Sequence, residues 1–383
     1  MSKWQKVSLD KVLTLSNSAV PSADLMTINL AGVYSFGRGL FKRGPLLTTG
    51  TTYKSYNRLT SDEFVISQPK AWEGAIARVT EEFNNWYLSP VFPTFSVDKQ
   101  RLEPRYLEWF CKRAPVWAEL QRKSRGIGAR RESVSPDQFL SVEIPLPPLP
   151  EQRRIVARIE FLAAKIEEAR RFREEVQKDL SRLLNAAYHQ IADDAPRKPL
   201  AEVAPLNRRP VTVDFEASYP QVAVRSFGRG TFHKPPLIGS EVTWEKPFLV
   251  NAGDILVSNI KAWEGAIAVA RPDDDGRVGS HRYLTCVAIP EKATARFVCF
   301  HLLTPEGLYE VGETSPGSAD RNRTLNSKAF LQIPVPMPKY QKQLWFDTLC
   351  QKADAIAQAQ SKSSPELAAL LPSILDKAFK GEF

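Results

Sequence analysis

The longest regular pattern of apolar and polar positions lies near the middle of the chain. After Ile144-Pro-Leu-Pro-Pro-Leu-Pro-Glu-Gln-Arg-Arg-Ile155, about forty residues contain neither proline nor glycine. Ile155, Ile159, Leu162, Ile166 and Ala169, then Val176, Leu180, Leu183 and Ala187, recur three and four apart, interrupted at Phe172 and Arg173. That spacing predicts one long amphipathic helix with a narrow, heptad-like seam, its other faces filled by Arg and Glu. Pro150 suits the first helical position, where a missing N–H costs nothing. A helix of roughly 42 residues would be about 60 Å long, and its seam needs a partner of similar length. Elsewhere Phe64-Val-Ile66 and Ala75 to Val79 predict strands around a turn at Pro69 and Glu73-Gly74, as do Asp254 to Ser258 and Ala266 to Ala270. Residues 105–121 and 295–309, rich in aromatics, predict helices.

The pattern is written twice. Leu9, Val12 and Leu15 return as Leu200, Val203 and Leu206, and from Leu9 to Leu200 is 191 positions. At this offset Ser35-Phe-Gly-Arg-Gly39 returns as Ser226-Phe-Gly-Arg-Gly230, and Lys70-Ala-Trp-Glu-Gly-Ala-Ile-Ala77 returns unchanged as Lys261 to Ala268. Ser124, Gly126 and Arg130 match Ser315, Gly317 and Arg321, and Phe139-Leu140 match Phe330-Leu331. With a slip of two residues, Ile144-Pro-Leu-Pro147 matches Ile333-Pro-Val-Pro336, and Gln152 matches Gln341. Leu344, Leu349, Ile356, Leu367, Leu371, Ile374 and Ala378 then form the seam of the missing partner helix, with Ser363-Ser-Pro365 predicting a kink or short loop.

The expected architecture is α+β. Two repeated α/β-type domains, residues 1–146 and 194–335, are separated by two long antiparallel helices, 147–193 and 336–383, related by an approximate twofold axis. The linker is Asp193-Asp-Ala-Pro-Arg-Lys-Pro199.

Composition narrows the function. A formal charge of +9 and a pI near 9.3 point to a polyanionic partner. No apolar run approaches membrane-spanning length, and the first residues form no secretory signal, so an intracellular, cytoplasmic protein is expected. Cys111, Cys286, Cys299 and Cys350 sit at no metal or redox spacing and read as reduced and mostly buried. Asp273-Asp-Asp275 before Gly276 reads as a solvated turn, and no metal site is expected. The Phe-Gly-Arg-Gly segments read as turns and not as a cofactor loop. There is no Gly-x-x-x-x-Gly-Lys-Ser/Thr phosphate loop. The nearest approach to a base-flipping methyltransferase loop, His233-Lys-Pro-Pro-Leu237, lacks the amide or carboxylate and the aromatic ring such a loop uses. No intrinsic catalysis and no bound cofactor are expected.

In its tandem organisation, its Pro-rich start to a long helix, its terminal Leu371-Pro-Ser-Ile-Leu-Asp-Lys-Ala-Phe-Lys-Gly381, its Lys-Ala-Trp-Glu-Gly block and its Ser315 to Arg323 segment, the chain resembles specificity subunits of type I DNA restriction-modification systems. The resemblance implies two target-recognition domains, each reading half of a bipartite double-stranded DNA site. It implies helices that dock two methyltransferase subunits carrying S-adenosylmethionine, and separate restriction or translocase subunits using ATP. One departure is that Lys339-Tyr340 stands where the first proline motif has Pro150-Glu151. A non-catalytic scaffold binding protein or RNA is the rival reading, and an orphan methyltransferase a more distant one.

If two copies of one scaffold read different sequences, shared residues should be framework or phosphate contacts and differing loop residues should read bases. Shared cations are Arg38 and Arg229, and Lys70 and Lys261. Differing stretches are Lys42-Arg43-Gly44 against His233-Lys234-Pro235, Gln68-Pro69 against Asn259-Ile260, and Arg130-Arg131-Glu132 against Arg321-Asn322-Arg323, the last sharing its first arginine. Gln and Asn suit bidentate contact with adenine. Trp72 and Trp263 read as core residues closing a hairpin.

Overall fold

A computed structural model describes residues 3–16, 18–49, 51–124, 133–242, 246–317 and 323–383. The chain divides into two compact units, residues 1–173 with 361–383, and residues 174–360. Each unit contains the same parts. In the first, a five-stranded sheet runs in the order Ala19–Pro21, Ser55–Arg58, Tyr87–Leu88, β1 (Thr27–Val33) and β2 (Leu40–Leu47). A four-stranded sheet runs Leu13–Leu15, Thr94–Val97, Phe64–Ile66 and Ile76–Arg78. The second unit repeats this with Arg209–Pro210, Phe248–Val250, Arg277–Gly279, β3 (Ser218–Val224) and β4 (Thr231–Ile238), and with Tyr283–Cys286, Ile255–Ser258 and Ile267–Val269. A bridge from Leu206 to Cys286 stands in for the fourth strand there. The parallel pairing also repeats, Leu30 opposite Tyr87 and Gln221 opposite Val278.

The two aromatic helices expected as single pieces are each two. Helices α1 (Pro104–Cys111) and α2 (Ala114–Lys123) break before Pro115. In the second unit the equivalent pair breaks at Thr304-Pro305. Proline disfavours a helical residue before it and is tolerated in the first turn, so each break falls where a new helix begins. The long helix α3 (Leu149–Ala192) has 44 residues, about 66 Å at 1.5 Å each. The paired helices of the second unit are α4 (Ala295–Leu303) and α5 (Pro305–Glu313). The C-terminal partner is α6 (Tyr340–Lys362) and α7 (Ser364–Lys380), interrupted at Ser363 as its Ser-Ser-Pro sequence predicts.

Within each unit the long helices pair antiparallel. In the first, Arg154 donates to the Phe383 carbonyl at 2.9 Å and Arg173 to Ser363 Oγ at 2.8 Å. In the second, Gln177 donates to Gln360 Oε1 at 2.6 Å, while Tyr188 lies 6.2 Å ring to ring from Phe346.

The repeat keeps its register through the proline motif, contrary to the two-residue slip. Buried Gln152 accepts from the Glu103 N–H and donates to the carbonyls of Arg101 and Pro147, all at 2.8 Å. Buried Gln343 accepts from the Thr294 N–H and donates to the carbonyls of Lys292 and Pro338, each at 3.0 Å. Every partner is 191 positions on, as Gln343 is from Gln152. Strand pairing agrees, with Val7 opposite Ile144 and Lys198 opposite Val335. Val335-Pro-Met-Pro-Lys-Tyr-Gln-Lys-Gln343 is therefore the true counterpart of Ile144 to Gln152. Lys339 and Tyr340 replace Pro148 and Leu149, not Pro150 and Glu151.

The helix seams also differ from the spacing-based expectation. In α3, Gln152, Ile155, Val156, Ile159 and Ile166 are buried near the start and Ala187, Tyr188, Ile191 and Ala192 near the end, but Val176 and Leu183 are exposed. In the second helix Gln343, Phe346, Cys350 and Ala353 face inward, leaving Leu344 and Ile356 exposed. Leu375, Ala378 and Phe379 of α7 join the first unit's main core. Phe379 packs on Tyr106 and Phe110 at 4.9 and 5.3 Å between ring centres. All four cysteines are free and buried, and burial pushes the Cys286, Cys299 and Cys350 thiols up to about 12.

Candidate nucleic-acid interface

The two sequence blocks shared most closely by the repeats lie against each other. In the first unit the Phe36 N–H donates to the Glu73 carbonyl at 2.8 Å and the Gly37 N–H to the Gly74 carbonyl at 2.9 Å. In the second, Phe227 and Gly228 donate to Glu264 and Gly265 at 2.7 and 2.9 Å. Ser35 and Ser226 hydroxyls reach the carboxylates of Glu73 and Glu264 at 3.2 and 3.0 Å. The opposite carboxylate oxygens take Lys70 and Lys261 at 2.9 and 2.7 Å. In the second unit the Lys261 hydrogen bond, joined by Ser226, holds the Glu264 carboxyl below the usual carboxylate range. Gly74, at φ 77°, admits Trp117 so closely that a Cβ would lie 2.4 Å from its ring.

The result is a loop seated on a turn, with aromatic and cationic groups at its surface. Phe36 and Phe227 hold φ values of 64° and 63°, a left-handed backbone that costs a bulky residue about 1–3 kcal/mol. Both rings are nevertheless exposed, 60% and 70%. Burial does not offset that strain, so the loop shape itself must be what is retained. Arg38 donates to the Ser35 carbonyl at 3.0 Å and lies over Tyr34 and Phe36. Arg229 lies over Phe227 at 5.5 Å. Lys70 and Lys261 lie over half-buried Trp72 and Trp263, whose indole N–H groups donate to the carbonyls of Pro69 and Ile260.

The differing positions fall into several groups. Lys42 and Arg43 are exposed on β2, Arg43 at the bulge where Leu30 pairs with Gly44 and Ala31 with Lys42. Lys42 is paired with Glu82 at 2.6 Å and lies over Trp86. Its counterpart His233 is tied to buried Asp274 at 2.8 Å, beside exposed Lys234. Asp274 corrects the reading of Asp273 to Asp275 as a solvated turn. The turn is present, but this carboxylate is its buried cap, accepting from Thr231 Oγ1 and the Arg271 N–H. Burial alone would raise its pKa, but hydrogen bonds from Thr231, Arg271 and His233 bring it down to about 2.

Gln68 and Asn259 are half-buried. Their carbonyls accept from the N–H groups of Val134 and Leu325, each at 2.8 Å, which joins the tryptophan turn to the segment after the glycine loop. Arg323 lies 4.9 Å over Trp263, its Nε buried and unpartnered among the described residues. Arg130, Arg131, Arg321 and Asn322 lie outside the described residues. No group of three or more His, Cys, Asp or Glu that could hold a metal occurs among the described residues, and no described helix is long and apolar enough to cross a membrane. Sequence reasoning passed over Phe36 and Phe227, whose exposure shows only in the folded loop, and the position before that loop, Tyr34 and Arg225. Comparing the repeats one residue further upstream would have found the latter.

Residues 1–178 match the family model described as the type I restriction modification DNA specificity domain. The first 178 residues are thus a type I restriction-modification DNA specificity domain by that match. The second half carries the same parts 191 residues later. No curated protein sequence matches the chain. Two solved structures share its fold over nearly its whole length. The HsdS subunit from Thermoanaerobacter tengcongensis is 21% identical, with a TM-score of 0.62 over 99% of this chain and 97% of that one. A structure titled for the complex assembly and conformational transition of the type I R-M system is 20% identical, with a TM-score of 0.70 over 99% and 98%. A DNA specificity domain over residues 1–178 favours DNA recognition over the protein or RNA scaffold.

Proposed function

We propose that the domains 1–146 and 194–335 each read one half of a bipartite double-stranded DNA site, through the loop-on-turn surface that both contain. The observation that supports this most is the duplicated exposed ring held in strained backbone beside an arginine, on a turn that presents a lysine over a tryptophan. Arg38, Lys70, Arg229 and Lys261 are shared cations suited to phosphate. Lys42, Arg43, Gln68, His233, Lys234, Asn259 and Arg323, with Arg131 and Asn322, differ between copies and suit half-site readout, beside the shared Arg130 and Arg321. The helical segments 147–193 and 336–383 act as spacer and dock two methyltransferase subunits. Those subunits supply S-adenosylmethionine and adenine-N6 methylation, and restriction or translocase subunits supply ATP-dependent cleavage, in the cytoplasm. The test is duplex binding across a salt series. Each neutralised phosphate adds about −0.9 to the slope of log K against log salt, so a steep negative slope is expected and a flat one overturns the reading.

A further inference from the structure

The residue just before the shared loop occupies one structural position in both units and differs in chemistry. The Tyr34 N–H donates to the Gly39 carbonyl at 2.9 Å, and the Arg225 N–H donates to the Gly230 carbonyl at 2.9 Å. These bonds close the same turn between β1 and β2 and between β3 and β4, so Tyr34 and Arg225 are equivalent by backbone geometry as well as by the 191-residue offset.

Their side chains use the same neighbour differently. Tyr34 lies 4.3 Å from the Phe41 ring, and Arg38 then rests over Tyr34 at 4.8 Å. Arg225 instead lies over Phe232, the counterpart of Phe41, at 4.7 Å, and donates through Nη1 to the Thr231 carbonyl at 3.1 Å. Arg229 has moved off this position and lies over Phe227. The first loop thus presents one arginine stacked on a tyrosine, the second two arginines on separate phenylalanines. Arg225 is exposed, yet its guanidinium plane is fixed by a ring face and a carbonyl. A guanidinium has five donors in a rigid fork, and only one is committed to Thr231. A fixed planar fork suits bidentate recognition of a base edge, whereas a flexible cation suits a phosphate.

We infer that Arg225 is a specificity-determining residue that reads a guanine in one half-site only, with Tyr34 unable to do so in the other. This rests on the DNA reading proposed above. The experiment is selection of binding sites from random duplex DNA, using the full chain assembled with its modification subunits, for wild type, Arg225→Tyr and Arg225→Lys. Arg225→Tyr carries the residue the first repeat already folds with, and its thermal midpoint checks that the hairpin is intact. The expected result is loss of about tenfold guanine preference at one position of one half-site in both variants. The other half-site should be unchanged, and the salt slope of Arg225→Lys should equal that of wild type. Unchanged preference overturns the inference. So does uniform weakening in Arg225→Tyr with a slope smaller by about one, the behaviour of a phosphate contact. Absence of any selected site with wild type would instead sink the DNA reading itself.

Discussion

The two units seat their long helices with different chemistry at one position. In the first, Phe379 of α7 inserts between Tyr106 and Phe110. In the second, Tyr188 of α3 stands where Phe379 does, and His301 where Phe110 does. The Tyr188 hydroxyl and His301 Nδ1 lie 2.7 Å apart in a fully buried setting. The same scaffold accepts an aromatic plug or a hydrogen-bonded polar pair, even though the buried His301 Nε2 has no hydrogen-bond partner among the described residues. The glutamine clamps, by contrast, are identical in chemistry. What holds each helix start to its domain is fixed, and what fills the seam beyond it is free to vary.

The largest expected effect of breaking this comparison is at Phe379. Phe379→Ala should remove about 3–5 kcal/mol from the first unit, the usual cost of truncating a buried phenylalanine. Hydrogen exchange resolved by peptide should show the loss in that unit and not in the second. Gln152→Leu and Gln343→Leu each strand one N–H and two carbonyls, and should cost about 3 kcal/mol in their own unit. Equal losses would confirm that the clamps are equivalent, and a loss at only one would break the register assigned here.

Burial depresses His301 from its ordinary 6.5 to about 4. A histidine with a lowered folded pKa binds fewer protons folded than unfolded, so its neutral form favours folding above pH 6.5. That contribution is lost as pH falls toward 4, at most about 3 kcal/mol. Burial raises Glu310, 3.9 Å from His301 Nε2, which offsets part of the loss. Tyr188→Phe with His301→Phe, copying the first unit, should flatten the acid dependence of the second unit's exchange protection. The smallest effects are at the surface. Arg38→Ala and Arg229→Ala should each reduce the salt slope of DNA binding by about 0.9 while leaving sequence preference intact.

The repeat, the long helix, the break at Ser363 and the tryptophan turn were legible because each rests on local chemistry: identical blocks, apolar spacing, or a proline. The register through Ile333 to Gln341 was misread because alternating prolines match themselves when shifted by two, and the buried glutamine bonds and the strand pairing decide between the alternatives. The seams were misread at Val176, Leu183, Leu344 and Ile356. Packing there chose Tyr188, Phe346, Cys350 and Ala353, and an aromatic or small residue can fill a seam that spacing assigns to leucine. The contact that orients His233 was not legible, since no local pattern announces that a carboxylate 41 residues away, Asp274, will be buried against it.

The most direct test of two readers on one scaffold is the set of duplexes that the wild-type chain, assembled with its modification subunits, selects from random DNA. Two short fixed sequences separated by a constant unspecified gap are predicted. A single contiguous motif, or enrichment of no sequence, would contradict the account.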